Sequence, residues 1–271
     1  MLRSLNSGVS GLKAFQTKLD VIGNNIANVN TVGFKKSRVV FEDIFSQTVK
    51  NASGPNANTG GTNPIQVGLG TKVASIDTIH TPGSPTTTNI GTDLYLDGDG
   101  FFVVHKLDNA NNKEFFLTKA GNFMFDKDNQ LVNQNGMYVT DSTGAKISFT
   151  PGTYVSLSIN QDGSIIGVRP DGTPVNTNVK IGTVTVNNPA GLKKEGGSLY
   201  SLTQNADTRT AIALLGTANN NQIVSGALEM SNVDLSEEMT DMITAQRGFQ
   251  ANAKIITVSD SVLEELVNLK R

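Results

Sequence analysis

At both ends of this chain apolar side chains recur every seven residues, while the middle alternates short apolar runs with turn residues. Leu5, Leu12, Leu19 and Ile26 form one seven-residue series, and Phe15, Ile22 and Val29 form a second beside it. That spacing predicts a helix with a narrow apolar seam. Ser4 is placed to cap it, and the pattern carries it to about Val29 before Gly33 stops it, a rod of roughly 35–40 Å. Toward the other end Leu235, Met242, Phe249, Ile256 and Leu263 keep the same period, joined by Ile255, Val262 and Leu269 on an adjoining row. Asp234 followed by Glu237 resembles a capping box with Asp in the usual Ser/Thr place and marks where this second helix begins.

Between the two seams the composition changes. NASGPNANTGGTNPIQVGLG, from Asn51 to Gly70, has few apolar residues and predicts an extended or mobile loop. From about Asp93 to Leu202, Asp97-Gly98, Asp99-Gly100, Asn135-Gly136, Asp162-Gly163 and Asp171-Gly172 are hairpin-turn dipeptides. The runs Phe101–Val104, Val155–Ile159 and Val179–Val186 have strand length and composition. Gln204–Gln222 is polar again. The expected fold is mainly β with α-helical termini, the two terminal helices pairing as a coiled-coil-like core. The expected divisions are 1–50 (helix and helix exit), 51–75 (polar loop), 76–220 (central β domain) and 221–271 (C-terminal helical segment).

Charge sharpens this reading. Residues 1–50 carry seven basic and three acidic side chains, and residues 229–271 carry four basic and eight acidic ones, so the ends are electrostatically complementary. A continuous apolar stripe needs a partner in water. Two such stripes can be packing inside one ordinary domain, but their position at the chain ends favours pairing with each other and with neighbouring copies. The self-assembly interface expected on this basis comprises Leu5, Leu12, Leu19, Ile26, Leu235, Met242, Phe249, Ile256 and Leu263.

A net charge of −2 does not supply the cationic footprint that nucleic acid requires. No apolar run approaches the length of a membrane span, and Lys13 interrupts the place where a signal peptide would have its apolar centre. With no Cys and two separated His, thiolate and histidine chemistry is scarce. Asp93, Asp97 and Asp99 beside glycines suggest a calcium loop, but the spacing departs from an EF-hand, and Asp-Gly steps before Phe101-Phe102 suit a hairpin. His80 and His105 lack a third ligand in a recognisable spacing, and no nucleophile elbow, P-loop or dinucleotide fingerprint is present. Neither catalytic activity, a metal nor a cofactor is expected. The competing class is a β-domain surface binding module, an adhesin or calcium-binding protein with a helical stalk; an enzyme resting on Asp97 or Asp99 comes third.

The string from Leu19 to Lys35, containing Asn24, Asn25, Asn28, Thr31, Gly33, Phe34 and Lys35, resembles the N-terminal motif of bacterial flagellar rod and hook proteins. Ser231, Asn232, Val233 and Asp234, with Gln246 and Arg247 further on, resemble that family's C-terminal motif, and Asp97–Phe102 and Thr118–Phe123 look like its β-domain motifs. The resemblance implies a helical homopolymer: terminal helices packed around a channel, β domains outside. It implies further partners, namely other rod proteins, a hook cap, hook-filament junction proteins and the type III export apparatus, and a place outside the cytoplasm reached without a signal peptide. Phe41 to Phe45 resembles the family's F-x-x-x-hydrophobic export signal. The ending Glu264–Arg271 looks like the short-form hook protein, whereas the polar stretch after Gln47 and the chain length suit the distal rod protein. Hook is placed ahead of rod.

Overall fold

The computed structural model describes residues 2–55, 60–107, 113–150, 152–215 and 221–269. Contacts divide the chain into a helical unit (Met1–Ala27, Ser37–Thr78, Asp234–Arg271) and a β unit (Asn28–Lys36, Ile79–Val233). The described α-helices are α1 (Leu2–Ala27), a single turn α2 (Ala211–Leu214) and α3 (Leu235–Asn268). The molecule is mainly β, and its two long helices pack together.

In the helical unit α1 and α3 run antiparallel. Gly8 lies against Asn252 and Ile255, Gly11 against Asn252, Phe15 against Gly248, and Asn25 against Glu238. Helix α1 ends at Ala27, short of the expected Val29, because the asparagines that follow make a turn: Thr31 donates from its N–H to the Asn28 carbonyl at 3.1 Å and from its hydroxyl to Asn28 Oδ1 at 3.1 Å. Ser37–Asp43 pairs antiparallel with Thr71–Thr78, and this pair packs on α1, with the Phe15 and Phe41 rings 5.8 Å apart. The extended loop expected over 51–75 is in part β structure. Ser46–Lys50 pairs with Ile65–Gly68, and Ser53 bridges Thr62, because Val49, Ile65 and Val67 supply β-branched residues that turn-rich composition had obscured. Residues 56–59 of that segment lie outside the described residues.

The β unit is organised by one strand, Gly100–Leu107. It pairs with Lys113–Thr118, with Tyr138–Val139 and with Thr183–Thr185, all antiparallel. Phe102 and Val104 face a core with Leu94, Phe123, Leu131 and Val139, while Phe101 and Val103 face a second core with Leu117, Val184 and Tyr200. Burial on both faces explains why this strand reads as a continuous apolar run, not an alternation. A separate three-stranded meander, Ser156–Ile159, Ser164–Val168 and Pro174–Lys180, turns at Gly163 and Gly172, both at φ +78, where the Asp-Gly steps demand a left-handed backbone. Ahead of the helix start expected at Asp234, the first part of the C-terminal segment 221–271 contributes two more strands: Gln222–Ser225 pairs with Leu94–Asp97, and Ala227–Glu229 with Pro85–Thr87. Of the polar stretch 204–222, residues 216–220 lie outside the described residues.

A buried charge cluster ties the helix-exit segment into this unit. Lys35 Nζ donates to Glu229 Oε1 at 2.5 Å and to the Thr81 carbonyl at 2.7 Å, and the Gly83 N–H donates to the same carboxylate oxygen. Lys119 Nζ lies 3.7 Å from Glu229 Oε2 and donates to the Gly98 carbonyl. All three charged side chains are almost wholly inaccessible to water. Burial, opposed by Glu229 and assisted by Lys35, pulls the Lys119 pKa below its usual value. His80 completes the surroundings: its ring lies 5.6 Å from that of Phe101 and 5.4 Å from that of Tyr200, both ring nitrogens are buried without a hydrogen-bond partner, and burial with Lys35, Lys194 and Lys119 nearby lowers its pKa to about 4.

One carboxylate therefore serves two buried cations, and removing it leaves both uncompensated. Glu229→Gln is expected to destabilise the full chain by about 3–5 kcal/mol in urea denaturation, and Lys119→Met by less, because Lys35 still compensates Glu229. Equal losses from the two variants would refute the shared arrangement. His80 binds a proton more readily in the unfolded chain, near pH 6.5, than in the folded one, near pH 4. Its contribution is complete above about pH 6.5 and is lost as the pH falls toward about 4. At about 1.4 kcal/mol per pKa unit this is at most about 3.5 kcal/mol, and less once solvent screening of the partly buried ring is allowed for. The urea midpoint should fall more steeply across that window in the wild type than in His80→Phe; parallel slopes would exclude His80 as the source.

Candidate functional site

The predicted seam residues lie along the two long helices but do not form the line of closest contact. Leu5, Leu12, Leu19, Ile26, Met242 and Ile256 are half-buried, and Leu235, Phe249 and Leu263 are exposed. The facing side mixes small and polar residues with two large ones: Gly8, Gly11, Ala14, Phe15, buried Ile22 and Asn25 on α1, and Glu238, Ala245, Gly248, Asn252 and Ser259 on α3. A Cβ on Gly11 would come within 2.9 Å of the Asn252 side chain, and one on Gly248 within 2.6 Å of the Phe15 ring. Small residues let the helix axes approach, and the larger seam residues flank the contact. Of the two heptad series read on α1, the second, with Phe15 and Ile22, lies on the contact side and the first flanks it; the glycines between them carry no apolar signal.

What the pairing leaves uncovered is more informative than what it covers. On α3, Leu235, Met239 and Ile243 form an exposed row in the first half, and Ile255, Val258, Val262, Leu266 and Leu269 a second row on another side of the helix in the second half. Ile243 is 60% exposed and Leu269 82%. The antiparallel register places Gly8 beside Ile255, so the last two turns of α3 extend past the start of α1. The helix is apolar on more sides than its one intramolecular partner can shield.

Polar groups fix the pairing. Buried Asn25 accepts from the Ser37 N–H at 3.0 Å and donates Nδ2 to the Ser37 carbonyl at 2.9 Å and to Glu238 Oε2 at 3.1 Å. Lys18 and Asp241 add an ion pair at 3.4 Å. Asp234 caps α3, its Oδ1 accepting from the N–H groups of Ser236 at 2.8 Å and Glu237 at 3.4 Å.

The remaining motif residues divide between the units. Gly33 (φ +67) donates its N–H to the Glu229 carbonyl, and a Cβ there would meet the Ala120 nitrogen at 2.6 Å. Phe34 lies beneath the Lys194 ammonium, 5.0 Å from the ring centre. Asn232 accepts from the Lys36 N–H at 2.8 Å and donates to the Ile79 carbonyl at 2.8 Å and the Thr81 hydroxyl at 3.0 Å. Val233 is buried, and Ser231 accepts from its N–H. Asn24, Gln246 and Arg247 are exposed, with Arg247 bonded to Gln250. Of the two phenylalanines in the export-like string, Phe41 packs on Phe15, while Phe45 is 88% exposed. Sequence reasoning missed Glu229, Lys119 and the small-residue row. The three-residue spacing of Gly8, Gly11 and Ala14 was a readable signal for the last; the charge cluster joins residues too distant in sequence for any spacing to reveal.

Among the described residues no group of three or more His, Cys, Asp or Glu side chains is placed to hold a metal ion, and no helix is long and apolar enough to cross a membrane.

Three family models match: residues 5–35 the flagella basal body rod protein, residues 95–167 the flagellar hook protein FlgE/F/G D1 domain, and residues 224–269 the C-terminal segment of the flagellar basal body rod FlgEFG proteins. The chain is 49% identical to the flagellar basal-body rod protein FlgG of Bacillus subtilis over the whole of both chains. It is 37% identical to the FlgG rod protein of Borreliella burgdorferi, again over the whole of both, and 31% identical to the flagellar hook protein FlgE of that organism in an alignment of 448 residues. Hook is therefore not favoured over rod: over the full length of both chains the rod relatives match at higher identity than the Borreliella burgdorferi hook protein, and the helical motifs that suggested hook are common to both. These relatives are structural proteins and not enzymes. With both helical ends and the β unit matched along its length, the chain belongs to the flagellar rod and hook protein family, the structural subunits of the flagellar basal body and hook.

Proposed function

We propose that this chain is a subunit of the flagellar rod, which polymerises through the apolar rows of α3 that α1 leaves uncovered. The observation that carries the reading is the exposure of Leu235, Met239 and Ile243 on one side of α3 and of Val258, Val262 and Leu266 on another. Burying each such side chain against a neighbour is worth about 1.5–3 kcal/mol, so two rows suffice to hold subunits together once the orientational entropy of association is met. The seam residues Leu5, Leu12, Leu19, Ile26, Met242 and Ile256, each half-buried in one chain, are completed by the same contacts. Rod is favoured by the 49% identity to the Bacillus subtilis rod protein over the full length of both chains. The hook is the second reading, supported by 52% identity to the Treponema pallidum hook protein over 51% of this chain.

In a shaft under torque, continuous helix packing carries load along the axis, and the β unit, with two cores of its own, keeps its fold while subunit contacts are stressed. Delivery through the flagellar type III apparatus and contacts with neighbouring rod and hook components belong to the same proposal. The small, locally closed β unit suits a chain that must fold after passage.

Ile243→Asp and Leu266→Asp are expected to abolish polymerisation of purified full-length protein, read by sedimentation and electron microscopy, with thermal unfolding shifted by less than about 3 °C because both positions are exposed. Normal polymers from both variants would remove α3 from the interface. Immunogold labelling of isolated basal bodies should place the protein in the straight shaft; label confined to the curved segment would decide for hook.

A further inference from the structure

Phe45 is 88% exposed, more than any other large hydrophobic side chain described. It directly precedes the Ser46–Lys50 strand and follows Glu42 and Asp43, of which Glu42 is paired with Lys72 at 2.8 Å while Asp43 is exposed. Phe41, four residues earlier, packs on Phe15. The folded helical unit thus uses one phenylalanine of this segment and projects the other beside an acidic residue.

The β unit carries a feature of opposite form. A groove of about 280 Å³ lies between the helix-exit segment and the turn that joins Lys193–Gly196 to Leu199–Ser201. Phe34, Leu199 and Tyr200 supply its apolar lining, and Lys194 stands at its rim with its ammonium over the Phe34 ring. An apolar cavity of about 150 Å³ accepts a benzene ring, so this groove has room for a benzyl side chain and part of its backbone. Its cationic rim matches the anionic approach to Phe45.

We infer that Phe45 of one copy seats in the Phe34–Leu199–Tyr200 groove of a second copy, with Asp43 set against Lys194. Knob and groove are different patches of the same chain, so the contact is head-to-tail and need not close as a two-fold dimer does; it propagates as an open or helical array. The inference rests on the self-assembly reading above and adds a second contact, independent of α3. It also gives Phe45 a role in the folded protein, distinct from the export-signal resemblance of its segment.

The test uses purified full-length protein, which bypasses export. Phe45→Ala should leave thermal unfolding unchanged and raise the critical concentration for polymerisation about ten- to a hundredfold. Asp43→Lys and Lys194→Glu should each weaken assembly, and the double variant should recover most of it. A photo-reactive benzoyl-phenylalanine at position 45 should give dimer adducts mapping to Phe34, Leu199 or Tyr200. Polymers that depend on Ile243 and Leu266 but are indifferent to Phe45→Ala, or adducts mapping elsewhere, overturn the docking and leave the α3 reading standing. Failure of the wild type to polymerise under any condition overturns both.

Discussion

A 34-residue helix with apolar side chains on several sides cannot be shielded along its whole length by one 26-residue partner. That mismatch governs the molecule. Helix α1 covers one side of α3, through a contact in which glycine, alanine, asparagine and serine bring the backbones close beside Phe15 and buried Ile22, while most of the other large residues lie on the flanks or the far side. A wide interlocking contact of leucines and isoleucines would have consumed the apolar surface within one chain. A contact kept narrow by small residues holds the pair and leaves that surface open.

The pairing of helices from opposite ends of the chain carries a loop-closure cost, though one that grows only logarithmically with length. The β unit offsets it. Within that unit the segment that follows α1 and the segment that precedes α3 are already joined: Gly33 bonds to Glu229, Lys35 is paired with it, and Asn232 binds Lys36. The two ends of the chain leave a common anchor. Using buried charge there, where apolar residues would be more stabilising, fixes which segments meet, since a buried carboxylate between two lysines tolerates no alternative neighbours without leaving a charge uncompensated. Asn25 does the same in the helical unit, offering donor and acceptor to Ser37 as a strand would and its second donor hydrogen to Glu238.

These arrangements were legible in the sequence to different degrees. The helices were plain, because leucine, isoleucine and methionine at heptad spacing are a periodic signal over many turns; so were the Asp-Gly hairpins and the doubly buried Phe101–Val104 strand, whose local residues dictate backbone conformation. The face used by each helix was legible only in part: Phe15 and Ile22 of the second heptad series lie on it, but the glycines and alanines beside them carry little hydrophobicity. The Ser46–Lys50 ribbon was hidden by asparagines and glycines around three β-branched positions. Glu229, Lys119 and His80 were unreadable because their roles exist only after Lys35, Gly83 and Gly98 have been brought to them by folding. The family motifs marked Lys35 and Asn232 as notable without saying why, and the structure supplies the reason: both fasten the chain at the entrance and exit of the helical unit.

The distribution of core and exposed apolar surface follows from what a polymer subunit must do. Stability sufficient to hold one chain in one form has to come from contacts that assembly does not disturb, and the two cores on either side of Gly100–Leu107, closed by their own strands, meet that condition. Affinity between chains has to come from surface that folding leaves open, and the proposed assembly draws on the open rows of α3. A sequence that filled the row of Gly8, Gly11 and Gly248 with larger apolar residues would force the helices apart and draw α3 side chains inward, gaining intramolecular contact at the expense of the intermolecular kind. In the proposed assembly the small residues at the centre of the helix pair therefore matter as directly as the exposed residues at its edge.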